Sequence, residues 1–385
     1  MRPLRVLHLP GNIRWIMDAI IDGQQEIGIE TKKFLITSRG IDEPEKESFD
    51  YVPVRQSHRR LKGFPFYLPH LFRFLFRYIK AILWADIIHW QYSFRFWPEH
   101  SKMRKLDFAL LRLFRKPAIA QFHGLDFMRN YDWAKENPWW LEAFSSEQFE
   151  EFEKLGQVTQ RDFAAANFVL AMGHGMMPAV LPENSKKSFL LERTMDVFSL
   201  DASINDEIDR ESIVVMHGPS SPQKKGTKYV LAAIEEISKV RNIEFVLLQN
   251  MSRSDVIEKL GEADIVVEQL LCGDYGLASV EAMARGCAVV ANVCPSLQES
   301  YPSDLPIVSA TPDTVKDAIL DLIDDSEKRI ALAKRGHDYA AKMHSIESTR
   351  IEVLKAYRMA AEHVGRKRVI KRINKLLLML NSAES

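Results

Sequence analysis

Short apolar runs alternate along this chain with stretches whose apolar residues recur every three or four positions. The runs at 4–9, 31–36, 87–89, 118–121 and 168–171 read as strands. Between them, Ile13, Ile16, Met17, Ile20 and Ile21 share one helical face, and 68–84 and 103–114 carry the same helical spacing. Strand and helix in strict turn predict a parallel sheet covered by helices, a Rossmann-like unit that ends near residue 190. The polar, acidic stretch 199–212 breaks the pattern and reads as a hinge. A second series then opens: strand 213–217, helix 228–240, strand 244–248, helix 254–260. From Pro312 onward the spacing is helical to the end.

At 385 residues the chain exceeds what one core supports, so two α/β domains are expected, 1–198 and 199–365, with a last helix at 366–385. The three cysteines, Cys272, Cys287 and Cys294, form neither a CxxC pair nor a set with histidine, which points to a reducing, cytoplasmic setting without disulfide or zinc. No apolar run reaches the roughly 18 residues of a membrane span, and the first residues form a strand pattern rather than a signal peptide. Net charge is zero, yet fourteen Lys and Arg face only three acids between Pro53 and Lys116. Within 59–80, Arg59, Arg60, Lys62, Arg73, Arg77 and Lys80 alternate with aromatic residues, and 102–116 is a second basic helix. These segments suit either peripheral contact with anionic lipid or a helix with an apolar inner face and solvated cations. Nucleic acid is not expected as a partner.

The segment from Asp264 to Ala291 carries the sharpest signal. It reads as strand 264–267, a glycine loop with Gly273 and Gly276, helix 277–285, a stop at Gly286 and strand 287–291. Such a βαβ unit presents backbone N–H groups and a helix N-terminus at the carboxyl edge of a sheet, where anions and nucleotides bind. Glu281, about one turn into the helix, suits the two hydroxyls of a ribose. After strand 213–217, Lys224, Lys225 and Gly226 precede the next helix; glycine admits close backbone approach and lysine supplies a charge for a diphosphate.

Tyr275, Gly276, Glu281-Ala-Met-Ala and Gly286 resemble the donor signature of the retaining GT-B glycosyltransferases, especially the large family 4 group. The resemblance implies the GT-B fold, with two Rossmann-like domains facing each other across a cleft and the last helix packing back on the first domain. It implies transfer of a sugar from a UDP- or GDP-linked donor to a glycan or lipid-linked acceptor, in cell-surface polysaccharide or glycolipid synthesis, on the inner face of the membrane. By the same resemblance Lys225 and Gly226 match the diphosphate-binding pair, Glu281 holds the ribose, and Gly273, Asp274, Tyr275, Gly276 and Leu277 form the donor loop. His123, in Gln121-Phe-His-Gly-Leu-Asp126, resembles the family's His-Gly-x-Asp loop beside the reacting sugar. Gly11, after the first strand, falls where the family approaches acceptor and diphosphate.

Two departures stand out. Eight positions before Glu281, where the family carries a second glutamate, this chain has Gly273, and Glu268 sits at the strand end instead. The arginine that precedes the family's Lys-Gly pair has no match; Ser221, Pro222 and Gln223 fill that region, leaving Lys224 as a substitute charge. These departures motivate a second reading, a degenerate GT-B domain that binds a nucleotide sugar or a protein partner without turnover. No Asp-x-Asp pair or His/Cys cluster has metal-ligand spacing, so a metal-independent reaction without a cofactor is expected. The absence of Gly-x-Gly-x-x-Gly argues against a dinucleotide oxidoreductase. A sugar-nucleotide epimerase would need several acid/base carboxylates that the sequence does not assemble.

Overall fold

The computed structural model describes residues 2–10, 16–34, 68–91, 106–124, 129–165, 168–174, 188–207 and 211–382. Gly11, Asp126 and the basic residues at 59–67 and 102–105 lie outside these residues.

The first sheet contains β1 (Arg5–Leu9), β2 (Glu30–Lys33), β3 (Ile87–Gln91), β4 (Ala118–Gln121), β5 (Phe168–Met172) and β6 (Ser188–Leu190). They pair in the order β2-β1-β3-β4-β5-β6, every pairing parallel. Successive side chains leave a strand on opposite faces, and both faces here are covered. Val6, Ile87, Ile119 and Val169 meet Val353, Leu354, Tyr357, Ile373 and Leu377 of the C-terminal helices Ile346–His363 and Lys367–Asn381. Leu7, Ile88, Trp90 and Ala120 face the other way, toward Phe74, Tyr78, Phe108 and Phe163. The four-residue spacing of Phe74, Tyr78 and Ile82 is why helix Leu68–Trp84 buries that stripe. The last helix is also tied by charge: Arg372 donates to Asp86 at 2.8 Å and to the carbonyl of Pro3 at 3.1 Å.

The second sheet contains β7 (Ile213–His217), β8 (Ile243–Leu247), β9 (Ile265–Val267), β10 (Ala288–Ala291) and β11 (Ile307–Ser309). It is also parallel, in the order β11-β10-β9-β7-β8. The polar stretch before β7 has no regular structure over 201–207; Ser203 donates to the carbonyl of Arg285, and Arg285 donates to that of Asp201, so it lies against the second sheet's helices.

Several elements escape the sequence pattern. β6 and β11 are three residues each, too short to show periodicity. Helices Asn130–Glu136, Trp140–Ala143 and Ser146–Ala165 fill the long connection between β4 and β5, where tryptophans and glutamates blur the apolar stripe.

Candidate active site

The carboxyl edges of the two sheets meet through these missed helices. Trp133 donates to the carbonyl of Cys272 at 3.2 Å, and Asn137 to that of Leu271 at 2.7 Å. Glu142 accepts from Tyr229 at 2.6 Å and from Lys228 at 2.5 Å. Residues that follow β4 therefore pack directly on helix Thr227–Ile237, which follows β7, and on the loop that follows β9.

On the second sheet, β7 leads into the short helix Pro222–Lys225, which ends at Gly226 with φ of +76°, a left-handed value that favours glycine. The turn brings the Lys225 ammonium onto residues just past β9. It donates to Gln269 Oε1 at 2.7 Å and to Glu268 Oε1. The other oxygen of Glu268 accepts from the Gly276 amide at 3.0 Å and the Ser279 hydroxyl at 3.2 Å. Both donors belong to the N-terminal turn of helix Leu277–Ala284, whose dipole favours a carboxylate there. Glu268 is 3% exposed, so this lysine and carboxylate form a buried pair.

One turn further, Glu281 Oε1 accepts from Arg253 at 2.9 Å. Arg253 opens helix Arg253–Leu260, fixed by a capping box between Ser252 and Asp255. Glu281 Oε2 has no hydrogen bond among the described residues, which leaves one lone-pair face for a ligand.

The remaining predicted donor-loop residues have different settings. Gly273 has φ of +72°, and a Cβ there would lie 2.6 Å from Asn137 Nδ2 and 2.7 Å from Cys294 Sγ. A glutamate there would have to adopt a left-handed backbone and push both side chains aside. Asp274 turns inward, accepting from Tyr301 at 2.7 Å and from the Tyr275 amide at 2.9 Å; burial raises its pKa against the pull of Arg193. The Tyr275 ring is buried, its hydroxyl 3.2 Å from His344 Nε2, and Leu277 is part of the core. Lys224 sits over the rings of Phe144 and Phe152 at 4.8 and 5.7 Å, so its charge is engaged with the first half's helices.

Arg193 is a residue the sequence reading missed. It follows β6, and its guanidinium donates to the Tyr275 carbonyl at 3.2 Å and lies 3.7 Å from Asp274. The Tyr275–Gly276 peptide is thus held at its carbonyl by Arg193 and at its amide by Glu268. Beside it, Glu192 accepts from the amide and ring of His174 at 2.7 and 2.6 Å. Burial pushes Glu192 up, but His174 and the nearby charges of His344 and Arg193 outweigh this and hold its pKa at about 2. A lone arginine after a three-residue strand carries no pattern that sequence could have shown.

On the first sheet, His123 lies two residues past β4, and its Nε2 is 2.9 Å from Gln91 Oε1 at the end of β3. Gln91 continues to His89 Nε2 at 3.0 Å and Gln121 Oε1 at 3.2 Å, and His89 Nδ1 reaches the Tyr357 hydroxyl at 2.8 Å. Tyr357 accepts from Gln24 at 2.7 Å, and Gln24 pairs with His8 at 2.9 Å. Desolvation lowers all three imidazoles: His8 to about 4, His123, also near the Arg193 charge, to about 3, and His89 well below its ordinary value. They are neutral at physiological pH, so His123 serves as a hydrogen-bonding group and not as a cation.

Among the described residues no group of three or more His, Cys, Asp or Glu is arranged to hold a metal ion, and the three cysteines are free. Nor, among those residues, is any helix long and apolar enough to cross a membrane.

No known protein-family profile matches the chain. The structure aligns over 93% of its length with 98% of sucrose-phosphate synthase from Thermosynechococcus elongatus, with a TM-score of 0.60 at 14% identity. The chain has the GT-B fold. The same GT-B architecture aligns over 91% of the chain with 98% of HepE from Anabaena, solved with UDP and glucose, with a TM-score of 0.54 at 14% identity. Among curated proteins, the D-inositol 3-phosphate glycosyltransferase of Corynebacterium urealyticum is 28% identical over 149 residues. That match covers 38% of this chain and only 34% of the relative, about a third of its length.

Proposed function

We propose that this GT-B protein is a retaining, metal-independent glycosyltransferase that moves a sugar from a UDP- or GDP-linked donor to a glycan or lipid-linked acceptor. The observation that carries this reading is the constellation of Lys225, Glu268 and the N-terminus of helix Leu277–Ala284 at the carboxyl edge of β7 and β9. A lysine already held at a helix N-terminus is a ready counter-charge for a leaving diphosphate. In this reading the diphosphate takes over Lys225 from Glu268, and the open oxygen of Glu281 accepts from the ribose. Neutral His123 bonds to a hydroxyl at the reaction centre. The glycosyltransferase match and the UDP-bound HepE of the same fold support the donor class.

Thermal unfolding against a panel of nucleotide sugars and nucleoside diphosphates tests this, with product release followed in the same samples. A ligand at one hundred times its Kd adds about 2.7 kcal/mol of stability. A selective shift with donor turnover is the expected result; no shift with any nucleotide overturns the reading. The buried neutralisation of Lys225 and the crowding against a glutamate at Gly273 favour a second reading, a binding domain without turnover. A shift without product from any donor, with acceptors supplied, selects it.

An acceptor held in a membrane fits the outer face of helix Leu68–Trp84, where Phe72, Phe76 and Leu83 are exposed beside Arg73, Arg77 and Lys80. Cations near an anionic surface contribute about 1 kcal/mol each, and inserted aromatics add apolar burial. Co-sedimentation with phosphatidylglycerol vesicles is expected, reduced by Phe72→Ser with Phe76→Ser; equal sedimentation with neutral vesicles would remove the electrostatic part of the argument.

A further inference from the structure

The buried polar atoms that lack a partner among the described residues include His8 Nδ1, Gln121 Nε2 and His123 Nδ1. All three belong to β1, β4 or the loop after β4, and each side chain is joined to the chain of hydrogen bonds that runs from His8 through Gln24, Tyr357, His89 and Gln91 to His123. Orphaned atoms of this kind are uncommon in folded interiors, where nearly every buried polar group is paired. These three lie along one network, and of them His123 Nδ1 is the one beyond a strand end, where a bound molecule can complete the bonding.

The chain has a direction. The Gln91 amide donates to Gln121 Oε1 at 3.2 Å, so its oxygen faces His123 Nε2 at 2.9 Å. A carbonyl oxygen only accepts. His123 therefore carries its proton on Nε2, and Nδ1 is left with a lone pair and no donor. Tyr357 accepts from Gln24 and donates its own proton to His89 Nδ1 at 2.8 Å, which leaves His89 Nε2 protonated and donating to Gln121 Oε1 at 3.1 Å.

We propose that Gln91 is a positioning residue that fixes His123 in its Nε2–H tautomer, so that Nδ1 is the ring atom offered to a hydroxyl of the bound sugar or acceptor. The inference rests on the proposed glycosyl transfer for its consequence, but not for its first test. That Nδ1 can only accept, and a hydroxyl group is the donor that a sugar supplies. Gln91 itself is buried at the end of β3 and acts only through His123.

The test is selective 15N-histidine labelling of the full chain with long-range 15N–1H correlation, the His123 signals assigned by their loss in His123→Asn. The expected spectrum shows a protonated Nε2 and a bare Nδ1 at pH 7. Gln91→Glu keeps an acceptor in place and retains this tautomer, whereas Gln91→Leu gives exchange-averaged shifts for the two nitrogens. With a donor that the wild type turns over, kcat in Gln91→Leu falls about tenfold, KM stays within about twofold, and Gln91→Glu recovers most of the loss. A His123 protonated on Nδ1 in the wild type, or an unchanged tautomer and kcat in folded Gln91→Leu, overturns the proposal. If Gln91→Leu does not fold, the wild-type spectrum and Gln91→Glu decide it. Failure of the wild type to bind or turn over any nucleotide sugar removes the glycosyl-transfer reading, while the tautomer measurement still stands or falls by itself.

Discussion

The two sheets present different chemistries around their central strands. Beyond β7 and β9 the polar groups are charged and paired, Lys225 with Glu268 and Arg253 with Glu281. Beyond β3 and β4 they are amides and neutral imidazoles, His89, Gln91, Gln121 and His123, joined without a full charge. Charge is costly to bury and is kept where a partner compensates it. In the proposed reading the charged diphosphate goes to the second sheet's loops and the hydroxyl groups to the ends of β3 and β4.

Lys225→Ala should break this contrast most. It leaves Glu268 buried without its cation, a change that costs about 3–5 kcal/mol of stability in comparable pairs, and nucleoside diphosphate binding should fall at least about a hundredfold. Chemical denaturation and calorimetric titration check both effects. Lys225→Met with Glu268→Gln should restore most of the stability and none of the binding; recovered binding in that double variant would show that the diphosphate does not use Lys225.

Gly273→Glu places the family's glutamate where the backbone is left-handed and a Cβ meets Asn137 and Cys294. We expect a stability loss of about 2–4 kcal/mol from backbone and overpacking combined, measured by thermal unfolding. An unperturbed melting temperature would mean that the loop can relax. Glu281→Ala should act on binding alone, because Arg253 is exposed enough to be re-solvated. Donor affinity should fall by about one to two decades, the loss of a charge-assisted hydrogen bond worth roughly 1.5–3 kcal/mol, with little change in stability.

The smallest expected effect concerns pH. His8 has a folded pKa of about 4 against 6.5 in the unfolded chain, so below pH 6.5 the unfolded state binds more protons. Stability then decreases as pH falls, by about 2 kcal/mol at pH 5 relative to pH 7 for His8, until its folded pKa is reached. Glu192, with a folded pKa of about 2, loses its contribution only as pH falls from about 4.5 toward 2, so the imidazoles dominate the upper window. His8→Gln should flatten the slope between pH 7 and 5; an unchanged slope would assign it to the other buried histidines.

How much of this was legible in the sequence depended on how local each feature was. Strands 118–121 and 213–217 and helix 68–84 coincide with the observed elements because runs and stripes are local signals. The positions of Lys225, Gly226 and Glu281 relative to strands and helices were legible for the same reason. The Glu268–Lys225 pair spans 43 residues and the Arg193–Tyr275 contact 82, and no periodicity records such partners. Tyr275 and Leu277, read as ligand contacts, are core residues: an aromatic or leucine in a glycine loop looks the same in sequence whether it turns toward a ligand or away from it.

The C-terminal helices have a consequence for the order in which the chain takes shape. Much of one face of the first sheet, including Val6, Ile87, Ile119 and Val169, is closed by residues 353–380, alongside Ile16 and Ile20 of helix Ile16–Glu26. During synthesis the strands made first must wait, with much of that apolar face uncovered, while all five strands of the second sheet emerge. The half that is begun first is finished last, and its open face in the interval is the surface on which a nascent chain of this protein is most exposed to aggregation.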